Sequence, residues 1–86
     1  MDGILEAMTP NATLDAKGLA CPMPVVKARL EIEKLGPGDV LEVIATDPGS
    51  VADFDNWTKM SGHELLSSEQ DDGVYRYLIK KGAATG

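Results

Sequence analysis

The chemistry this sequence could perform is concentrated in four consecutive residues, Cys21-Pro22-Met23-Pro24, which hold its one cysteine. A lone thiol cannot close an internal disulfide, and one cysteine with one histidine falls short of the four ligands of a structural zinc site. What a lone thiol can do is act as a nucleophile once it is ionised. Its neighbours bear on that. If Cys21 is the N-cap of a helix, the first helical positions are Pro22, Met23, Pro24 and Val25, and two of these have no N–H. An N-cap side chain accepts from the second or third helical N–H, and the third position here is proline, so the expected donor to the sulfur is the Met23 N–H. The positive end of the helix favours a thiolate there, and the prolines fix φ and hold the sulfur at an exposed corner. The opposing reading makes Cys21 a small buried hydrophobe, the common fate of a free cysteine. Local chemistry leaves both open.

Other residues near this segment have structural explanations that compete with functional ones. Gly18 suits a turn, and the Asp15 carboxylate can satisfy nearby backbone donors. Lys17 and Arg29 could stabilise an anionic sulfur or face an acidic partner, whereas Lys27 reads as solvated surface charge. Asp47, ahead of Pro48, is placed to start the second helix as its cap or first-turn acid. His63 opens a strand and reads as a structural residue, too far along the chain to be assumed the base for Cys21. Trp57 reads as core. The acids Asp53, Asp55, Glu64, Glu69, Asp71 and Asp72 read as a solvated face.

The elements that must position Cys21 follow from patterning and punctuation. Asn11 to Ala16 reads as a short strand followed by a Lys17-Gly18 turn. Pro22 to Leu35 reads as a helix stopped by Gly36-Pro37-Gly38. On it Val25, Ala28, Ile32 and Leu35 share one arc, and Val26 and Leu30 form a second that needs a neighbouring helix or a partner. Asp39 to Thr46 carries an almost continuous apolar run of strand length. Gly49 to Ser61 repeats apolar residues at Val51, Phe54, Trp57 and Met60, expected along one side of a second helix that Gly62 stops. His63 to Ser68 and Val74 to Lys81 flank an Asp72-Gly73 turn, a hairpin signal. The expected fold is α+β, a two-layer sandwich in the order β-α-β-α-β-β, with a four-stranded mixed sheet and both helices on one face.

Composition bounds what such a domain can bind. The 86 residues suffice for one domain over residues 11–81, with residues 1–10 read as a flexible leader and 82–86 as a flexible tail. A net charge of −6 opposes direct, tight binding to nucleic acid, where affinity comes from Lys and Arg displacing counterions. No window approaches the roughly 18 apolar residues of a membrane span, and the first residues carry acids where a secretory signal is basic. The expectation is a cytoplasmic protein with its thiol reduced, without membrane contact and without a metal.

The run Leu14-Asp15-Ala16-Lys17-Gly18-Leu19-Ala20-Cys21-Pro22-Met23-Pro24 resembles the signature of the TusA-like (SirA/TusA) sulfur-carrier family, in which a Cys-Pro-X-Pro motif opens the first helix. The resemblance continues through Gly36-Pro37-Gly38-Asp39, Thr46-Asp47-Pro48-Gly49, Trp57, Gly62-His63-Glu64-Leu65 and Tyr75-Arg76-Tyr77-Leu78-Ile79, and so covers about residues 12–81. It implies that Cys21 accepts sulfane sulfur as a covalent persulfide, with no other cofactor, and passes it to an acceptor. Pro22, Met23, Pro24, Asp15 and Gly18 support that site, and Lys17, Arg29 and Asp47 are candidates for partner or electrostatic roles. Cysteine desulfurases or rhodaneses are the implied donors. A DsrE-like protein, or a relay toward transfer RNA 2-thiouridine, sulfur oxidation or cofactor sulfuration, is the implied acceptor. Some members carry a second cysteine where this chain has Thr58, so the resemblance implies a single-thiol, monomeric carrier. The alternative is a non-catalytic binding or regulatory module with an incidental thiol.

Overall fold

The computed structural model describes residues 10–20 and 22–82. Its elements run β1 (Ala12–Ala16), α1 (Met23–Ile32), β2 (Val40–Ala45), α2 (Ser50–Ser61), β3 (Glu64–Asp71) and β4 (Val74–Lys80), which is the expected order. The strands form one mixed sheet in the order β1-β2-β4-β3, with β1 parallel to β2 and the other neighbours antiparallel. Parallel neighbours need a crossover, and α1 supplies it between β1 and β2. β2 and β3 also run the same way with β4 between them, so α2 makes the second crossover. β3 and β4 are joined by a tight turn at Asp72 and Gly73, both with positive φ, the conformation a two-residue hairpin turn of this kind requires.

One face of the sheet is dry because alternate residues of its strands point beneath the helices. Ala16 of β1, Leu41, Val43 and Ala45 of β2, and Tyr77 and Ile79 of β4 are fully buried, with Leu41 paired to Ile79 and Val43 to Tyr77 across the central strands. From α1, Pro24, Ala28 and Ile32 enter this core at a spacing of four. Burial of a side chain the size of Ile32 stabilises the fold by about 1.5–3 kcal/mol. The opposite face is wet and carries charge: Arg76 pairs with Glu42 and Glu69, and Thr13 donates its hydroxyl to Glu42.

The second helix departs from its expected face. Its buried residues are Ser50, Phe54 and Thr58, with Trp57 half-buried, while Val51 and Met60 are exposed. A spacing of three rotates the direction by about 60° per step, so Val51 to Met60 cannot stay on one narrow contact face, whereas a spacing of four nearly can. Ser50 and Thr58 tolerate burial because both hydroxyls are bonded: Ser50 Oγ lies 2.7 Å from Tyr77 Oη, and Thr58 Oγ1 donates to the Phe54 carbonyl at 2.8 Å. Phe54 stacks on Tyr77 with ring centroids 4.6 Å apart and meets Trp57 edge-on at 6.0 Å, so three of the four aromatic residues form one ladder.

Tyr77→Phe is expected to destabilise the domain by about 1–3 kcal/mol, since it removes the hydrogen-bond partner of a buried hydroxyl while preserving the ring. Urea unfolding followed by Trp57 fluorescence measures it, and adding Ser50→Ala should recover part of the loss.

The first helix is shorter than Pro22 to Leu35. It closes at Ile32, with Lys34 and Leu35 donating three residues back to Glu31 and Ile32 in a tightened last turn. Lys81, arriving from the end of β4, donates its ammonium to the Leu35 carbonyl at 2.6 Å and to that of Glu33 at 3.4 Å. A cation from a distant segment thus satisfies carbonyls at the negative end of α1.

Candidate functional site

The connection from β1 to α1 carries the Cys21 motif. It leaves the sheet at the C-terminal end of β1, where Asp15 Oδ1 accepts the Lys17 N–H at 3.0 Å and Leu19 N–H returns to the Ala16 carbonyl at 3.2 Å. Gly18 sits between them at φ +83°, a region open to glycine at little cost, and donates its N–H to Thr46 Oγ1 at 3.0 Å. Asp15 and Gly18 therefore shape this turn, and Thr46, just beyond β2, ties it to the central strand. Thr46 is a positioning residue that sequence reasoning missed, because its partner lies 28 residues away and no local pattern signals the pair.

Cys21 itself lies outside the described residues. Its surroundings correct the expected capping. Pro22, and not Cys21, is the N-cap of α1, so Met23 becomes the first helical position, Pro24 the second and Val25 the third. The Met23 N–H donates to the Ala20 carbonyl at 2.9 Å and is not the free donor expected for the sulfur. The shift has a local cause: a turn from Ala20 to Met23 already consumes that N–H, and the chain enters the helix only after Pro22 at φ −98°, ψ 15°. Pro22 has no side-chain acceptor, and among the described residues no side-chain bond caps this end. Pro24 is fully buried and anchors the start of the helix in the core, while Met23 faces outward at 42% exposure.

Pro24→Ala is accordingly expected to destabilise the domain by about 2 kcal/mol, from lost apolar burial and a freer unfolded chain. The change in urea midpoint measures it.

Around this corner the charges are unevenly used. Lys34 pairs with Glu31, Lys59 with Asp55 and Arg76 with Glu42, whereas among the described residues no ion pair involves Lys17, Lys27 or Arg29, all exposed. The outer surface of α1 is apolar, with Met23, Val26 and Leu30 left uncovered by α2. The second arc seen in the sequence is thus open to solvent. Between the two helices a groove of about 500 Å³ begins at Pro22 and is lined by Val25, Arg29, Trp57 and Met60. A neighbouring cavity of about 460 Å³ shares Arg29, Trp57 and Met60 and reaches His63, Lys81 and Glu33. Arg29 joins the groove; Lys17 lines neither space.

Asp47 does not cap α2. The helix begins at Ser50 behind Gly49, Asp53 is its first-turn acid, and the Asp47 carbonyl accepts the Ser50 N–H at 3.0 Å in the preceding turn. Pro48 and Gly49 occupy that turn, so Gly49 takes the N-cap position, two residues beyond Asp47. His63 follows the helix, where its Nδ1 accepts the Gly82 N–H at 2.9 Å. Gly82, read as the start of a flexible tail, is thus tied down. Thr58 is buried with its hydroxyl bonded inside α2.

Among the described residues no three His, Cys, Asp or Glu side chains converge to hold a metal ion, and no helix is long and apolar enough to cross a membrane.

Comparison with known proteins places this geometry. The chain is 50% identical over 68 residues to the sulfur carrier protein TusA of Allochromatium vinosum, covering 79% of this chain and 90% of that protein. It is 44% identical over 75 residues to the sulfur carrier protein TusA of Pseudomonas putida (strain GB-1), covering 87% and 94%. YrkF of Bacillus subtilis, 48% identical over 75 residues, is longer, and the chain spans 40% of its length. The crystal structure of a SirA-like protein from Desulfitobacterium hafniense superposes with a TM-score of 0.72 at 30% identity, over 83% of this chain and 97% of that one. The family described as Sulfurtransferase TusA matches residues 12–81, from the first residue of β1 to the residue after β4. With the family match, the identity to these relatives and the fold in agreement, the chain belongs to the sulfurtransferase TusA family.

Proposed function

We propose that this protein is a sulfur carrier that holds sulfane sulfur on Cys21 and hands it to an acceptor protein. The observation that carries this reading is the Cys21-Pro22-Met23-Pro24 motif leading into α1 within a chain whose residues 12–81 match the family. In the first step the Cys21 thiolate attacks the outer sulfur of a persulfide on the donor. The donor's S–S bond breaks, its cysteine leaves as a thiolate, and a persulfide forms on Cys21. In the second step an acceptor thiolate attacks the terminal sulfur and Cys21 leaves as the thiolate. One S–S bond is exchanged for another each time, so neither step needs an external oxidant or reductant.

The surroundings of the motif support docking of protein partners. Met23, Val26 and Leu30 offer an exposed apolar ridge on α1, and Lys17, Lys27 and Arg29 are cations without ion pairs among the described residues, suited to a partner edged with carboxylates. Donors of the desulfurase or rhodanese type and a DsrE-like acceptor fit the chemistry. The single cysteine favours a single-thiol monomer that serves the two in turn, in the reducing cytoplasm. Incubation with a cysteine desulfurase and cysteine, followed by intact-mass spectrometry, tests the reading. The expected result is a gain of one sulfur atom that a reductant removes. A native protein that gains no mass under conditions that load a known carrier would favour a binding module in which the thiol is incidental.

A further inference from the structure

The corner between α2 and β3 carries a titratable arrangement that sulfur transfer does not use. His63 is half-buried there, and its Nδ1 accepts the backbone N–H of Gly82 at 2.9 Å. An imidazole accepts through Nδ1 only when that nitrogen is unprotonated, so the bond fixes the neutral ring with its proton on Nε2. Gly82 lies directly on the corner: a Cβ at this position would stand 2.3 Å from the Gly62 carbonyl oxygen. The same ring meets Trp57 edge-on, with centroids 5.3 Å apart.

We propose that His63 is a proton-operated latch, holding the chain at Gly82 against the α2–β3 corner while neutral and releasing it when protonated. Protonation converts the Nδ1 acceptor into a donor that faces the Gly82 N–H, so the bond is lost and replaced by repulsion between two donors. The charged groups around the ring favour release. Lys81, on the segment beyond β4, is held near by its bonds to the α1 carbonyls and repels an imidazolium; Arg29 of α1 lines the same cavity; Glu33, at the end of α1, opposes both. From α2 the ring meets Trp57 and the cavity is lined by Met60 and Ser61, none of which titrates as an acid or base near neutrality. The cavity of about 460 Å³ beside the ring provides room for it to swing out.

Burial first, and Lys81 second, lower the pKa of His63 below its ordinary value of 6.5. The folded protein therefore binds this proton less readily than the unfolded chain. Stability contributed by the neutral ring is full above about pH 6.5 and falls as pH drops toward the folded-state pKa. Because Trp57 lines both spaces between the helices, release at His63 also reaches the groove that begins at Pro22.

The single tryptophan of the chain reports on the latch directly. In the full-length protein, Trp57 fluorescence between pH 8 and pH 5 is expected to follow one titration with a midpoint below about 6.5. Amide hydrogen exchange at Gly82, compared with its unstructured rate at each pH, is expected to show protection of about fivefold at pH 8, the bias given by a hydrogen bond of ordinary net strength, and to lose it through the same midpoint. His63→Gln should abolish the fluorescence titration. Nitrogen chemical shifts of the wild-type imidazole, which distinguish the Nε2–H tautomer, supply the readout if that variant folds poorly. A flat fluorescence profile, a midpoint at or above the ordinary value, an unprotected Gly82 amide at pH 8 or an Nδ1–H tautomer would each overturn the proposal.

Discussion

Cys21→Ser is expected to abolish sulfur loading entirely while leaving the domain folded, since the exchange replaces one sulfur atom by one oxygen and keeps the shape of the side chain. The loss should be total because no second cysteine exists to substitute for the first. A serine hydroxyl is not ionised near neutrality and cannot form the S–S bond in which sulfane sulfur is carried. Among the described residues the β1–α1 connection is held by bonds of Asp15 with Lys17, Gly18 with Thr46, Leu19 with Ala16 and Met23 with Ala20, all of which the substitution leaves in place. Intact-mass spectrometry after exposure to a persulfide donor, with urea unfolding of the same sample, separates the two effects. A variant that unfolds would identify the thiol as a core residue and remove the main support for the carrier reading. A folded variant that still gains sulfur would place the acceptor elsewhere.

Phe54→Ala is expected to remove a large part of the domain's stability. The side chain is fully buried between Tyr77, stacked at 4.6 Å, and Trp57, edge-on at 6.0 Å, and truncating such a residue costs about 3–5 kcal/mol through lost transfer energy and the cavity left behind. A domain of this length has a total stability of about 4–13 kcal/mol, so the loss is comparable to the whole at the lower end. The urea midpoint should fall steeply, and the near-ultraviolet circular dichroism of Tyr77 and Trp57 should collapse at lower denaturant than in the wild type. Phe54→Leu, which keeps most of the volume, should cost about 1.5 kcal/mol. If both variants unfold at the wild-type midpoint, the aromatic ladder is not what joins α2 to the sheet.

The order of elements was legible in the sequence because each boundary has a local cause. Gly62 stops α2 in the left-handed conformation, Asp72-Gly73 turns the hairpin with two positive φ values, and the alternation of β2 buries Leu41, Val43 and Ala45. The motif was legible for the same reason, since four adjacent residues carry it. What the sequence could not decide depended on partners far along the chain. The buried face of α2 is Ser50, Phe54 and Thr58, and Ser50 can be there only because the Tyr77 hydroxyl, 27 residues away, completes its hydrogen bond. Hydrophobicity favoured Val51 and Met60 for that face, and geometry with a satisfied hydroxyl outweighed it. The cap of α1 moved from Cys21 to Pro22 because Ala20 accepts the Met23 N–H, a choice between two turns that composition does not distinguish. Thr46 holding Gly18, Lys81 closing the end of α1 and His63 binding Gly82 span 28, 46 and 19 residues. Each joins segments that no local pattern relates, and the path of the chain through the sheet alone brings them together.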